Sequence, residues 1–108
     1  MSDRLGGYFH GKRCRVNEPL GFCAGPCLAI VNKTTEICKP LESSHLYIRR
    51  TDNPSFSCNT SNFMELMSMA SNFGTEMEVF TDRHDYTSAV DSLADFIDNL
   101  RLVECCEK

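Results

Sequence analysis

The sequence predicts an α+β fold in which a four-stranded antiparallel sheet is covered on one face by three helices. Strand-like and helix-like stretches alternate in the order β-α-β-β-α-β-α, with short connections between them. Each predicted helix carries a single apolar stripe, so all three can pack on one face of the sheet and leave the other face to water. The chain has 108 residues, of which 42% are hydrophobic, and this suffices for one core.

The predicted domain spans residues 12–100. It follows a flexible, glycine-containing extension over residues 1–11 and precedes a tail over residues 101–108.

Alternation of apolar and polar residues predicts the first strand, and helical spacing of apolar residues predicts the first helix. Lys12–Asn17 alternates and places Cys14 on the buried side. The helix begins within Ala24–Cys27, because Pro26 is tolerated at the first helical position, where its missing N–H costs nothing. The apolar stripe, which Pro40 ends, recurs at three- and four-residue intervals and consists of Cys27, Ile30, Val31, Thr34, Ile37, Cys38 and Leu41.

Alternation predicts the other three strands. His45–Arg50 is the second strand and Ser55–Thr60 a weaker third one, with a turn over Thr51–Ser55 between them. Glu76–Asp82 alternates most regularly and is the fourth strand.

Helical spacing predicts the other two helices. The second covers Asn62–Phe73, with Gly74 at its C-terminal cap, and the third begins at Asp85 as its N-cap. The buried line of the second helix is Phe63, Leu66, Ala70 and Phe73; that of the third is Tyr86, Ala89, Val90, Leu93, Phe96, Ile97 and Leu100.

Charge and composition exclude several classes of protein. The net charge of −4 and the pI near 5.3 disfavour a nucleic-acid binder, which needs a basic surface. No apolar run approaches the ~20 residues that span a bilayer, so no membrane insertion is expected. Because the N-terminus has no signal-peptide pattern and the seven cysteines are odd in number, we expect free thiols in the cytoplasm.

Three stretches carry a family resemblance: EPLGFCAGP (18–26), NFMELMSM (62–69) and DYTSAVDSLADFI (85–97). They are similar to N-P-x-G-L-H-A-R-P, S-I-M-x-L-M-x-L and D-x-x-x-A-x-x-x-L-x-x-x-I, three motifs of the HPr family, the histidine-containing phosphocarriers of the bacterial sugar phosphotransferase system. The resemblance covers residues 12–100 and implies an HPr-like open-faced β-sandwich that is cytoplasmic, bacterial and not an enzyme.

The sequence departs from the family at the positions that carry its chemistry. Cys23 stands where the family has its phosphoryl-accepting histidine, Gly25 where it has a phosphate-binding arginine, and Asn62 where it has a regulatory phosphoserine. The segment between Cys23 and Asn62 is several residues longer than in the family, so Ser61 is a candidate for a displaced acceptor.

The chemistry of Cys23 stays open between an inert loop residue and a nucleophile. The resemblance makes Ala24, Gly25, Pro26 and Cys27 the phosphate loop, since free N–H groups at a helix start receive an anion. A thiol just before a helix can have a lowered pKa and accept a phosphoryl group.

The remaining cysteines suggest no metal site. Cys23 and Cys27 have a zinc-like spacing, but no second pair follows, and Cys14, Cys38 and Cys58 occupy core positions. We therefore predict neither a metal nor a cofactor.

The resemblance also implies a docking surface formed by Phe22, Phe63, Met64 and Met67, because methionines suit an adaptable contact. The leading hypothesis is a divergent HPr-like regulatory or protein-interaction module. Its expected partners are enzyme I, sugar-permease components or a transcriptional regulator. The alternatives are a phosphocarrier that accepts a phosphoryl group on Cys23 from enzyme I, and a thiol redox or metal sensor.

Overall fold

The computed structural model describes residues 9–16, 24–41, 45–69 and 75–100. The elements follow one another in the predicted order, and the predicted fold class is confirmed. Their bounds are β1 (His10–Arg15), α1 (Ala24–Cys38), β2 (Tyr47–Arg50), β3 (Asn53–Asn59), α2 (Phe63–Met67), β4 (Glu76–Thr81) and α3 (Thr87–Asn99), with a 3₁₀ turn over His84–Tyr86 before α3.

The four strands form one antiparallel sheet in the order β1-β4-β2-β3. Cys14 of β1 lies opposite Met77 of β4, and Val79 of β4 lies opposite Ile48 of β2. Side chains alternate between the two faces of a strand, so these four share one face, and all four are buried. The alternating sequence pattern therefore corresponds to the observed register.

A hydrophobic core lies between this face of the sheet and the helices. α3 packs against β1 and β4, α2 packs against β3, and α1 contacts both other helices. The largest fully buried apolar side chains are Ile30, Leu46, Ile48, Leu66, Met77, Val79, Val90, Leu93 and Ile97. The predicted stripes of α1 and α3 supply much of this core, while Phe96 and Leu100 are only partly buried at its margin.

The opposite face of the sheet carries an ordered aromatic and ionic layer. The Phe80 ring lies 5.6 Å from the Phe9 ring and 5.5 Å from the Tyr47 ring, measured between centroids. The Arg49 guanidinium lies 4.6 Å from the Phe80 centroid and is 2.7 Å from Glu78 Oε1. The face that the sequence assigns to water is therefore partly covered by its own side chains.

The first strand begins earlier than predicted. β1 starts at His10 instead of Lys12, so His10 and Gly11 belong to the sheet and not to a flexible extension. Glycine fits position 11 because a Cβ there would lie 2.6 Å from Glu78 Oε2. The rest of the predicted extension, apart from Phe9, and the whole predicted tail lie outside the described residues.

Three aspartates of α3 contact β1. The contacts are His10 Nε2 to Asp91 Oδ1 (3.0 Å), Lys12 Nζ to Asp95 Oδ1 (3.1 Å) and the backbone N–H of Arg15 to Asp98 Oδ1 (2.8 Å). The hydrogen bond to Asp95 raises the pKa of Lys12. The three aspartates lie along α3 in the same order as their partners lie along β1. These polar contacts therefore border the apolar packing between α3 and β1.

Two predicted details at helix starts are wrong. Pro26 is the third residue of α1 and not the first; it is tolerated there because N–H groups in the first turn have no acceptor within the helix. Asp85 does not cap α3, since it lies inside the 3₁₀ turn, and the N-cap position is Tyr86, without a side-chain cap. Tyr86 is buried and its ring packs edge-on against His45 at 5.4 Å, which connects this turn to the residues just before β2.

The second helix is shorter than predicted. α2 ends at Met67, and the hydroxyl of Ser68 donates to the Glu65 carbonyl at 2.7 Å. Such a side-chain hydrogen bond competes with helix continuation. Residues 70–74, which include the predicted cap Gly74, lie outside the described residues.

The third strand is longer than predicted and less buried. β3 begins at Asn53, so the preceding turn is shorter than expected, and a register shift occurs between Arg49 and Arg50 of β2. Cys58 is buried, but Phe56 is 43% exposed. β3 is an edge strand, and α2 packs against it near its end.

Candidate functional site

Residues 17–23, which include Phe22 and Cys23, lie outside the described residues, but the residues on both sides of them are described. Before it, the N–H of Arg15 donates to Asp98 and the N–H of Val16 donates to the Thr75 carbonyl at 3.0 Å. After it, α1 begins at Ala24. Hydrogen bonds therefore hold the backbone at Arg15 and Val16, and the chain enters α1 at Ala24.

The four residues of the predicted phosphate loop form the first turn of α1. Ala24 is exposed and Gly25 half-buried, whereas Pro26 and Cys27 are buried. Backbone N–H groups of a first helical turn are oriented toward the preceding loop, which is the arrangement that binds anions. Cys27 is fully buried, so its thiol belongs to the core instead of the helix entrance.

The described cysteines are core residues, as predicted for Cys14, Cys38 and Cys58. These three and Cys27 are buried. Burial raises the pKa of the Cys14 thiol to about 12 and that of Cys58 to about 11. Neither thiol is therefore a nucleophile at neutral pH. Among the described residues, no group of three or more His, Cys, Asp or Glu side chains is placed to hold a metal ion.

Asn62 caps α2, at the position where the resemblance places a regulatory serine. Its Oδ1 accepts the N–H of Glu65 at 3.1 Å. Ser61, one residue earlier, is exposed, and its hydroxyl donates to Asn59 Oδ1 at 2.6 Å. The Glu65 carboxylate in turn accepts the N–H of Asn59 at 2.9 Å. Side-chain hydrogen bonds thus fix the start of α2, and Ser61 lies just before it.

The three predicted contact residues of α2 differ in exposure. Met64 is 72% exposed, while Phe63 and Met67 are half-buried and pack against the core. The sulfur of Cys58 donates to the Glu65 carbonyl at 3.2 Å and attaches α2 to β3. α2 therefore presents apolar side chains at the surface on a supported backbone.

Leu28 is a surface residue that the sequence reasoning missed. It is 48% exposed and lies on α1, the helix that packs against α2. Leu28 falls outside the buried stripe of α1, and a leucine on the polar side of a helix is the signal that would have identified it. Leu28, Phe63, Met64, Glu65 and Met67 are called the α1–α2 surface below.

The four-stranded antiparallel sheet, with α1, α3 and the short helix α2 packed together on it, is an open-faced sandwich. The family model described as the PTS HPr component phosphorylation site matches residues 11–99. The chain belongs to this PTS-HPr family, as the sequence resemblance implied. Proteins of the family are phosphocarriers and not enzymes.

Solved structures show the same fold. The phosphocarrier protein HPr from Bacillus anthracis str. Ames has a TM-score of 0.63 and 21% identity, over 82% of this chain and 96% of that one. HPr-C-His from Thermoanaerobacter tengcongensis has a TM-score of 0.55 and 16% identity, over 86% of this chain and 99% of that one. No curated protein matches the sequence. Within the described ranges, no helix has the length and apolarity needed to cross a membrane.

Proposed function

We propose that this HPr-family chain is a regulatory or protein-interaction module that contacts its partners through the α1–α2 surface and the Cys23 loop. The observation that carries the proposal is the exposure of Met64, an apolar side chain that is 72% accessible on a helix held by capping and core contacts. A large apolar group kept in water on a fixed backbone is typical of a protein contact.

The substitutions at the family's chemical positions favour regulation over transfer. Gly25 has no guanidinium to hold a phosphate, and Asn62 has no hydroxyl to modify. Enzyme I, sugar-permease components or a transcriptional regulator are the expected partners, in the cytoplasm. Contact with such partners requires the surface and not the transfer chemistry.

Amide chemical shifts during a titration with enzyme I or a permease component test the proposal. The backbone amides of Ala24, Gly25, Cys27, Leu28 and residues 63–67 should shift first, while those of β1 and of the outer sheet face stay unchanged. Shifts confined to the outer sheet face would show that the chain docks elsewhere.

A second candidate is a phosphocarrier that uses Cys23, and the match to a phosphorylation-site family favours it. In that reaction the thiolate attacks the phosphorus of the phosphohistidine of enzyme I. The S–P bond forms as the P–N bond breaks, and the released imidazole takes up a proton. Intact-protein mass spectrometry after incubation with enzyme I, phosphoenolpyruvate and magnesium tests it, under conditions that preserve thiol phosphate. An adduct that is missing in Cys23→Ser supports the carrier, whereas no adduct on folded protein counts against it.

A further inference from the structure

Basic residues are missing from the two described segments that carry the α1–α2 surface. Residues 24–32 and 51–69 contain no Lys or Arg, although the whole chain has 11. The same segments contain two acidic residues, Asp52 and Glu65. Neither described segment therefore contributes a positively charged side chain.

The structure brings the described parts of these segments together. α1 contacts α2, and α2 contacts β3. Leu28 from the first segment and Met64 from the second are both exposed, with half-buried Phe63 and Met67 beside them on α2. Two helices in contact thus each carry an exposed apolar side chain, in segments that have no basic residue.

Three basic side chains close to these segments in sequence each bind a group outside α2. The Lys33 ammonium lies 5.5 Å from the centroid of Phe96 on α3. Arg49 pairs with Glu78 on the opposite face of the sheet. The next residue, Arg50, pairs with Asp52 at the turn after β2, with 2.8 Å between Nη2 and Oδ2. In the described structure, none of these contacts directs a cation toward α2.

Of the five residues that define the α1–α2 surface, Glu65 alone has an ionisable side chain. It is exposed on α2, next to Met64, and its Oε1 is held by the N–H of Asn59 at 2.9 Å. The carboxylate therefore has a defined position at the margin of the apolar side chains. A partner that covers Met64 also removes water from this carboxylate, which is costly unless an opposite charge replaces the water.

We propose that the α1–α2 surface binds a protein surface that is apolar at its centre and basic at its rim. The inference rests on the proposed docking function and specifies the chemistry of the partner. Apolar contact accounts for Leu28 and Met64, and a lysine or arginine at the rim pairs with Glu65. An acidic rim would place like charges together and be rejected.

Two designed helical peptides test the inference. Both carry the same leucine and methionine face, one with a lysine rim and the other with a glutamate rim. Their affinities for the full chain are measured by fluorescence anisotropy at low and high salt, and amide shifts locate the contact. The lysine peptide should bind about three- to fivefold more tightly at low salt, and the difference should shrink as salt rises.

Variants with equal changes in net charge separate an effect of the charge at position 65 from an effect of the net charge of the whole chain. Glu65→Lys should reverse the preference, and Glu65→Gln, which keeps an acceptor for Asn59, should remove it. Asp85→Lys changes the net charge equally at an exposed turn before α3 and should leave the preference unchanged. Circular dichroism confirms that each variant is folded.

The results of the peptide experiment distinguish a failure of the basic-rim inference from a failure of the proposed docking function on which it rests. If both peptides bind equally and shift the amides of Leu28 and Met64, the docking surface stands and the basic-rim inference is overturned. A preference for the glutamate peptide, or an equal effect of Asp85→Lys and Glu65→Lys, also overturns it. If neither peptide binds, both the inference and the surface on which it depends are wrong.

Discussion

The contact between α3 and the sheet and the contact between α1 and α2 are built differently. α3 buries Leu93 and Ile97 against the strands, and its aspartates bind β1 at the margin. The α1–α2 surface instead leaves Leu28 and Met64 in water, and Glu65 is the one ionisable residue among the five that define it. The first arrangement stabilises the fold, whereas the second leaves apolar area available for another protein. Substitutions should therefore separate stability from binding.

Thiol labelling should give the largest difference between the core and the surface. Because burial raises the pKa of Cys14 to about 12 and that of Cys58 to about 11, both thiols should react with a maleimide more than about 100-fold more slowly in folded than in unfolded protein. Peptide mapping after timed quenching measures each rate. The redox-sensor hypothesis requires Cys23 to react much faster than either, and equal rates would remove its basis.

Truncation of a core leucine should cost far more stability than truncation of the exposed methionine. Leu93 is fully buried, so Leu93→Ala should lower the free energy of unfolding by about 2–5 kcal/mol. Met64→Ala should change it by less than about 0.5 kcal/mol, because the side chain is mostly in water already. Urea denaturation of both variants checks this. Similar losses would mean that Met64 belongs to the core.

The buried hydroxyl pair should give an intermediate effect. Thr34 Oγ1 donates to Thr60 Oγ1 at 3.0 Å, and Thr60 Oγ1 donates to the Leu46 carbonyl at 3.3 Å. Thr60→Val leaves the Thr34 hydroxyl without this acceptor and should cost about 1–3 kcal/mol. In a double-mutant cycle, Thr34→Val with Thr60→Val should cost less than the sum of the two single changes. Strict additivity would show that the two hydroxyls are not coupled.

Alkaline pH should produce a smaller loss of stability. The pKa of Cys14 is raised on folding from 9.0, so its contribution is present below pH 9.0 and is lost as the pH rises toward the folded value of about 12. We expect a loss on the order of 1 kcal/mol between about pH 8 and about pH 10. Urea denaturation across this range should show a shallower decline for Cys14→Ala. An unchanged slope would exclude Cys14 as a cause.

Alternation and helical spacing predict the fold because both patterns follow from burial. Met77 and Val79 alternate toward the core of β4, and Leu93 and Ile97 recur along one side of α3, as expected. The starts and ends of elements depend on contacts distant in sequence. Asp85 lies in the 3₁₀ turn before α3, and Tyr86 of that turn packs against His45, a contact that local sequence cannot reveal.

The candidate site is less predictable than the fold, since exposure depends on how helices pack together. The resemblance implies that Met64 belongs to a docking surface, and its side chain is 72% exposed. Leu28 was missed, although its position outside the apolar stripe of α1 is a signal that the sequence carries. The ion pair of Arg49 and Glu78 joins residues far apart in sequence, and no local pattern predicts it.

Calorimetric binding of enzyme I or a permease component to two surface variants tests the central claim most directly. Met64→Asp places a charge on the α1–α2 surface, and Phe9→Asp places one on the opposite face of the sheet, where Phe9 is 54% exposed. The account predicts that Met64→Asp weakens binding at least about tenfold while Phe9→Asp binds like the unmodified chain. Equal affinities for the unmodified chain and Met64→Asp, or a loss confined to Phe9→Asp, would contradict it.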